Sequence, residues 1–201
     1  MWWSQPTDAS TTGSSVATRL GRRAALGSVG AGIASFLVRP ARAYTLPPLS
    51  AVLSRLPRPK AAPVVHFMTA KGQQRTLADY RGKGLVLNVW ATWCPPCRAE
   101  LPTLNRLSKI VAPDGIDVLP ISIDSGGRKA VTQYYADHHI KHLPILLNPS
   151  GGIDTALNVP GTPTTFLIDR QGRITGFVEG AADWDAPASV TLLRQMIGQA
   201  E

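Results

Sequence analysis

The sequence predicts an α/β domain with a mixed central sheet flanked by helices. Three observations indicate it: strands and helices alternate in the first half of the chain, a hairpin pattern follows, and an amphipathic helix comes last. Of the 201 residues, 44% are hydrophobic and 17% are charged. A chain of this length and composition can bury one hydrophobic core with flanking segments, but has few apolar residues for two cores. We therefore expect one globular domain, at residues 64–201.

The first predicted elements alternate between strand and helix. Residues 84–90 form a nearly continuous apolar run, which is typical of a strand covered on both faces. Residues 95–111 carry apolar side chains at helical spacing, so they predict a helix with one buried stripe. The other elements of this half are strands at residues 64–68 and 118–123 and a helix at residues 129–139.

The second half contains a hairpin signal. Residues 164–168 and 173–179 are strand-like runs joined by the turn Asp169-Arg170-Gln171-Gly172. The remaining predicted elements are a strand at residues 144–147 and helices at residues 153–157 and 189–199.

The front of the chain is typical of an export signal. Arg22 and Arg23 precede an apolar, uncharged stretch at residues 24–38, and an Ala-x-Ala site ends at Ala43. That stretch would make roughly 22 Å of helix, shorter than the ~30 Å hydrocarbon core of a membrane. We expect residues 1–43 to be a twin-arginine-like signal cleaved after Ala43, with general secretion or an uncleaved membrane tether as alternatives. Each of these places the domain outside the cytoplasm.

Residues 44–63 are predicted to be an extended linker. They contain five prolines and show no apolar periodicity. The linker would connect the signal to the domain at residues 64–201.

The basic charge is concentrated in the front part of the chain. The net charge is +8, but residues 64–201 contain 13 Lys and Arg against 12 Asp and Glu. A nearly neutral domain offers no basic face, which argues against nucleic acid as a partner.

Cys94 and Cys97 are the two cysteines of the chain. At the start of a helix they lie on one face, close enough for a disulfide. The free N–H groups and positive dipole end of the helix favour thiolate over thiol. Cys94 is therefore the predicted exposed nucleophile, and Cys97 the buried resolving thiol. Pro95 and Pro96 fit the first helical turn and stiffen the ring closed by the disulfide.

A metal site is the alternative for a C-x-x-C pair. His138 and His142 would have to complete it, but 40 residues separate His138 from Cys97. Zinc fingers of this type use about 12–15 residues there. We therefore interpret His138, His139 and His142 as a polar helix end and His66 as a structural or exposed residue, and we expect no metal site and no cofactor beyond the disulfide.

Two stretches carry a resemblance to a known family. Residues 87–102 read LNVWATWCPPCRAELP, and residues 161–169 read GTPTTFLID. They resemble the active site and the second landmark of the TlpA/ResA-like branch of the thioredoxin superfamily, whose members are membrane-anchored or periplasmic thiol–disulfide oxidoreductases. Two motifs in this order, ~65 residues apart, are far more specific than a lone C-x-x-C. The resemblance spans residues 64–199 and implies a thioredoxin fold, with residues 124–157 as an added strand-and-helix insert.

The resemblance implies roles for further residues. The proline of the second landmark is cis in this family and faces the cysteines, which implies a cis Pro163 and places Thr162 in the substrate groove. Asn88 stands where thioredoxins proper keep a buried aspartate. Glu100 matches a glutamate of this branch that serves instead, accepting the proton of Cys97. The alternative for Glu100 is a first-turn acid that stabilises the helix dipole.

Two tryptophans flank the cysteines in the sequence. Trp93 is predicted to cover Cys94 and to offer an apolar surface to a partner, whereas Trp90 is predicted to belong to the core. Trp93, Pro95, Pro96, Thr162 and Pro163 together are the predicted substrate groove.

These residues predict an exported oxidoreductase that reduces protein disulfides in the periplasm. Reduced Cys94 attacks a partner disulfide, Cys97 displaces the product, and a thiol-type electron donor in the membrane restores the dithiol. The resemblance implies clients in cytochrome c biogenesis, such as apocytochrome c, or in copper-centre assembly. Thr164 stands where the cytochrome c subgroup usually has a glutamate, so that client is not assigned.

Two other functions remain open from the residues. The pair could pass Cu(I) to an oxidase as a metallochaperone-type module, since soft thiolates suit Cu(I), although such proteins of this superfamily use a wider C-x-x-x-C with a histidine. A thiol peroxidase expects a threonine three residues before its cysteine, where this chain has Ala91.

Overall fold

The computed structural model describes residues 45–149 and 151–197 of the chain. The predicted export signal at residues 1–43 therefore lies outside the described residues. Across the described ranges, no helix is both long enough and apolar enough to span a membrane.

A mixed sheet of eight strands organises the described part of the chain, in the spatial order β1-β8-β7-β4-β5-β6-β2-β3. Strands β4, β5 and β6 run parallel to one another, and the remaining neighbours are antiparallel. The strands are β1 (Leu53–Ala61), β2 (His66–Thr69), β3 (Gln74–Thr76), β4 (Gly84–Trp90), β5 (Ile116–Ser122), β6 (Leu146–Leu147), β7 (Thr164–Ile168) and β8 (Arg173–Glu179).

Helices pack on both faces of this sheet. They are α1 (Leu49–Val52), α2 (Pro95–Val111), α3 (Gly127–Asp137), α4 (Ile153–Leu157) and α5 (Pro187–Ile197), with 3₁₀ turns at Leu77–Tyr80 and Ala112–Asp114. The predicted α/β architecture with a mixed sheet flanked by helices is thus confirmed. The segment predicted as an insert, residues 124–157, contains α3, β6 and α4.

The central strand β4 contributes to two cores, because successive side chains of a strand point to opposite faces. Val86 and Trp90 join the core that includes α2, α3 and α5. Leu85, Leu87 and Val89 join the core that includes α4 and the first 3₁₀ turn. Every residue of β4 is buried, as the continuous apolar run predicted.

The topology brings the two motifs of the sequence to one edge of the sheet. Helix α2 starts five residues after β4 ends, so its N-terminus lies at the carboxyl end of that strand. Strand β7 is antiparallel to β4 and pairs Thr164 with Val89. The loop that precedes β7 therefore lies beside the start of α2.

The predicted linker at residues 44–63 is wrong for most of its length. Residues 49–52 form the short helix α1, and residues 53–61 form the edge strand β1, which pairs with β8. The register is interrupted between Arg55 and Lys60, and Pro57 and Pro59 fall within that interruption. An edge strand tolerates proline there because no ladder hydrogen bond needs the missing N–H. The folded sheet accordingly includes residues that precede residue 64.

Candidate active site

The two cysteines lie where strand β4 passes into helix α2. Cys94 is the N-cap residue of α2, and Cys97 lies in its first turn. Their sulfurs form a disulfide, with the two Cα atoms 5.3 Å apart. The N–H of Cys97 also donates a hydrogen bond to Cys94 Sγ at 3.3 Å. The helix start thus directs a backbone donor at the sulfur of Cys94, which stabilises negative charge there.

Cys94 is buried in this disulfide state, and the expectation of an exposed Cys94 is wrong for it. Cys94 is 3% exposed, and Cys97 is completely buried, as expected. The carbonyl oxygen of Thr162 lies 3.4 Å from Cys94 Sγ. The loop before β7 therefore packs against the sulfur and shields it from solvent.

The exposed rim of the site consists of Trp93, Pro95 and Pro96. Trp93 is 65% exposed, Pro95 is exposed and Pro96 is half-buried. Trp90 is instead completely buried, with its ring stacked on that of Tyr135 at 5.9 Å between centroids. Trp90 thus lies in the core, as predicted, and Trp93 faces solvent one residue before Cys94.

The second motif forms the other wall of the site. The Thr162–Pro163 peptide bond is cis. The hydroxyl of Thr164 donates to the carbonyl of Gly161 at 2.7 Å and closes the turn before β7. A surface depression of about 250 Å³ adjoins this loop and is lined by residues 160–164 together with Glu179 and Gly180.

Glu100 lies on α2, one turn after Cys97, and is completely buried. Its Oε2 accepts hydrogen bonds from the N–H of Ala182 at 3.1 Å and from the indole Nε1 of Trp184 at 2.8 Å. Its Oε1 accepts from Asn88 Nδ2 at 2.9 Å. Burial raises the pKa of Glu100 from 4.5 to about 7, against the lowering effect of these three hydrogen bonds. A carboxyl group with this pKa exchanges a proton at neutral pH.

Asn88 connects Glu100 to the neighbouring strand. Its Nδ2 donates to Glu100 Oε1 and also to Thr165 Oγ1 at 2.8 Å. Its Oδ1 is buried and has no hydrogen-bond partner among residues 45–149 and 151–197. Strand β4 thus presents an uncharged amide to the carboxyl group, and β7 presents an uncharged hydroxyl to that amide.

A second buried carboxylate holds the loop between β4 and α2. Asp124 accepts hydrogen bonds from the N–H of Thr92 at 3.0 Å and from its hydroxyl at 2.6 Å. It also accepts from the hydroxyl of Ser122 at 2.7 Å. Because Thr92 stands two residues before Cys94, Asp124 fixes the backbone that leads into the disulfide.

Among the described residues, no hydrogen bond joins a histidine to a cysteine. His138 caps the end of α3, where its ring stacks on Tyr134 with centroids 3.9 Å apart and its Nδ1 lies 2.9 Å from the Tyr134 carbonyl oxygen. His139 and His142 are exposed in the following loop, in the place the sequence predicted for a polar helix end. His66 is exposed at the start of β2. In the described part of the chain, no group of three or more His, Cys, Asp or Glu is placed to hold a metal ion.

The sequence did not predict the residues that hydrogen-bond to Glu100 or that hold the loop before Cys94. Ala182 and Trp184 stand 82 and 84 residues after Glu100, in the loop between β8 and α5, where no periodicity marks them. Asp124 belongs to neither of the two sequence motifs, and only the fold places it against Thr92. A tryptophan between two acidic residues, Asp183 and Asp185, was the one signal available, and it does not identify a carboxyl partner.

Comparisons with known proteins identify the family of this chain. The model of the AhpC/TSA family matches residues 59–177. The thiol-disulfide oxidoreductase ResA of Geobacillus kaustophilus is 36% identical over 119 residues, which are 59% of this chain and 67% of that protein. The thioredoxin-like protein YneN of Bacillus subtilis is 36% identical over 114 residues, covering 56% of this chain and 66% of that protein.

Solved structures share the fold. A putative thiol:disulfide interchange protein DsbE from Chlorobium tepidum has a TM-score of 0.59 at 27% identity, covering 70% of this chain and 95% of that one. The pneumococcal exposed lipoprotein thioredoxin Etrx1 from Streptococcus pneumoniae has a TM-score of 0.56 at 28% identity, covering 66% of this chain and 98% of that one. The predicted relationship to thioredoxin-fold thiol–disulfide oxidoreductases is confirmed.

Proposed function

Since the chain belongs to the AhpC/TSA family and is a thiol-disulfide oxidoreductase, we propose that it reduces protein disulfides outside the cytoplasm. The observation that carries the proposal is the Cys94–Cys97 disulfide at the N-terminus of α2, next to the loop of Thr162 and Pro163. The site then needs no cofactor other than these two sulfurs.

Cys94 is the nucleophile of the proposed cycle. Its thiolate attacks one sulfur of a client disulfide, so that a mixed disulfide forms and one client thiolate leaves. The dipole of α2 and the N–H of Cys97 stabilise the thiolate of Cys94 more than that of Cys97, which lacks the N-cap position.

Cys97 resolves the mixed disulfide. Its thiolate attacks Cys94 Sγ, the second client thiolate leaves, and the Cys94–Cys97 disulfide forms while the client has gained two electrons. Cys97 must first lose its proton, and Glu100, one turn away on the same helix, accepts it. The position of Glu100 and its pKa of about 7 support this role.

The client binds along the rim and the loop before β7. Trp93 offers an apolar surface, and the backbone of Thr162 offers an edge on which an extended peptide pairs. Pro163 and the adjoining depression extend this surface beyond the disulfide. Main-chain recognition of this kind accepts clients of differing sequence.

We place the cycle in the periplasm, with a thiol-type electron donor in the membrane. The basic pair Arg22-Arg23, the apolar stretch after it and the site at Ala43 support export. A structural neighbour named as an exposed lipoprotein is in keeping with this placement. Clients in cytochrome c or copper-centre assembly follow only from the family resemblance.

Trapping experiments test the assigned roles. The Cys97→Ser variant should accumulate a mixed disulfide with an oxidised client protein such as insulin, whereas Cys94→Ser should trap none. Mass spectrometry of the adduct identifies the linked cysteine. An adduct through Cys97 in the Cys94→Ser variant, equal to or greater in yield than that of Cys97→Ser, would contradict the assigned roles.

A further inference from the structure

The two oxygens of Glu100 face different kinds of partner. Oε2 accepts from the N–H of Ala182 and from the indole N–H of Trp184, and both of these groups can only donate. A proton on Oε2 would face two donors. A proton held by Glu100 therefore has to reside on Oε1.

The hydrogen-bond partner of Oε1 is Asn88, whose side-chain amide can either donate or accept. Asn88 presents Nδ2 to Glu100 Oε1 and to Thr165 Oγ1, so it donates two hydrogen bonds while its Oδ1 has no partner in the described ranges. This arrangement suits an ionised Glu100, which accepts only. It does not suit a protonated Oε1, because two donors would then face each other.

Rotation of the Asn88 side-chain amide, which exchanges the positions of Oδ1 and Nδ2, removes this contact between two donors. Oδ1 then accepts from the protonated Oε1 of Glu100 and from the hydroxyl of Thr165, which can donate as well as accept. Nδ2 takes the unpartnered place that Oδ1 leaves. Each orientation makes two hydrogen bonds and leaves one amide atom unpaired, so the orientation follows the proton on Glu100.

We propose that Asn88 is a positioning residue whose side-chain amide reverses each time Glu100 gains or loses a proton at Oε1. The inference deepens the proposed function and rests on it: the proton that Cys97 loses moves to Glu100 Oε1, Cys97 becomes a thiolate, and Glu100 becomes a neutral acid. Asn88 then supports both states of the carboxyl group, which a side chain that only donates or only accepts cannot do.

The surroundings of Glu100 leave this exchange to few titratable groups. Helix α2 contributes Cys97, and strands β4 and β7 contribute the uncharged Asn88 and Thr165. The loop that carries Trp184 contributes Asp183 and Asp185, the latter paired with Arg106 on the surface. None of these charges contributes to the pKa of Glu100, which burial raises and the three hydrogen bonds lower.

An NMR titration of the reduced full chain tests the reversal. The Glu100 carboxyl carbon reports its protonation between about pH 5 and about pH 9. Nuclear Overhauser effects from the Asn88 Nδ2 hydrogens to the Glu100 Hγ and Thr165 methyl hydrogens should be strong above the Glu100 midpoint and lost below it. Effects from the Trp184 indole hydrogen to Glu100 should persist throughout, because Oε2 keeps its donors.

Asn148 is a matched control. It is also a buried asparagine with an unpartnered Oδ1 in the described ranges, but its Nδ2 donates to the backbone carbonyl of His66 at 2.6 Å, which holds no proton. Its amide should keep one orientation across the titration. In Glu100→Gln, the pH-dependent change at Asn88 should disappear.

The outcomes separate the inference from the function it rests on. Asn88 contacts that stay unchanged while Glu100 titrates would overturn the reversal alone. A Glu100 carboxyl that does not titrate in this range would overturn both the reversal and the acid–base role of Glu100. No client is present in the titration, so neither outcome depends on reductase turnover, which the cysteine variants test.

Discussion

Glu100 is an acidic side chain with no cation beside it in the described part of the chain. Its carboxyl group is completely buried and is held by Trp184, the backbone of Ala182, and Asn88. The three hydrogen-bond donors stabilise the ionised form of Glu100, but burial destabilises it more and raises the pKa to about 7. The helix-dipole role that the sequence left open requires an acid in the first turn of α2, and Glu100, six residues after the N-cap Cys94, lies beyond that turn.

The raised pKa of Glu100 predicts how stability depends on pH. Between the ordinary pKa of 4.5 and about 7, the folded protein holds a proton that the unfolded chain has lost. Raising the pH through this window therefore lowers the free energy of unfolding, by about 3 kcal/mol from this group. Below the window both states are protonated, and the contribution of Glu100 is fully present.

Urea denaturation of the wild type and Glu100→Gln at several pH values measures this contribution. The wild type should lose stability relative to the variant as the pH rises from about 5 to about 8. The difference between the two proteins isolates Glu100 from the other titrating groups. A difference that stays constant, or that favours the wild type at high pH, contradicts the buried environment described for Glu100.

At the scale of elements, the connection between β4 and α2 is fixed from the side. Asp124 follows β5 and accepts hydrogen bonds from Thr92 and Ser122. Parallel strands β4 and β5 end at the same edge of the sheet, so the residue after one can hold the loop after the other. The placement of Cys94 thus depends on two strands and not on α2 alone.

Replacing Asp124 by Ala should destabilise the protein by about 3 kcal/mol, because the half-buried Thr92 and the buried Ser122 lose the acceptor of their hydrogen bonds. The reduction potential of the cysteines should also shift, since the loop before Cys94 loosens. Asp137→Ala is the matched control: Asp137 is exposed and accepts from Gln133, so its loss should cost about 0.5 kcal/mol or less. Equal effects of the two variants in denaturation and redox titration would remove the positioning role of Asp124.

Strand β1 provides a second test at this scale. A Cβ on Gly176 of β8 would lie 2.9 Å from the backbone oxygen of Ser54 and 3.2 Å from Leu53. Gly176→Ala should therefore destabilise the protein by about 1–3 kcal/mol through overpacking against β1. Gly161→Ala is the control, because a Cβ there meets no atom within 4 Å. If residues 53–61 were a linker, the two variants would unfold at nearly the same denaturant concentration, because only the flexible end of Met196 would then lie near the new Cβ of Gly176→Ala.

The elements with strong local patterns were predictable from the sequence. The bounds of β4, α2, α4 and the β7–β8 hairpin agree with the prediction because their apolar runs, helical spacing or turn residues are unambiguous. The edge strand β1 was not predictable, since its burial pattern is almost wholly exposed and two prolines interrupt it. Strand β3 has three residues, mostly exposed, and gave no pattern either.

The site was predictable only as far as its motifs. Cys94, Cys97, Glu100 and Pro163 follow from the two stretches of sequence that resemble the family. The contacts that hold these side chains in place come from residues distant along the chain, such as Trp184 and Asp124. Contacts between residues so far apart in sequence leave no local pattern. The burial of Cys94 likewise follows from the loop before β7, which only the fold places against it.

At the scale of the whole molecule, the pairing of strands in the sheet brings the parts of the site together. Cys94 and Thr162 are 68 residues apart in sequence, and the antiparallel pairing of β7 with β4 brings them to 3.4 Å. Helix α2 supplies the dipole, the loop before β7 supplies the proposed client edge, and the core under α2 keeps Glu100 away from water. The proposed cycle, in which the dithiol reduces client disulfides and is itself reduced by a donor, rests on this assembly.

The reduction potential of the Cys94–Cys97 pair tests that central claim most directly. Equilibration of the full chain with glutathione or dithiothreitol buffers can be followed by tryptophan fluorescence, because Trp93 adjoins the disulfide. The account predicts a value near the roughly −270 mV of thioredoxin, at which the dithiol reduces clients and needs an electron supply. A value near the roughly −120 mV of strong periplasmic oxidants would mean that the protein donates disulfides, which contradicts the proposed direction.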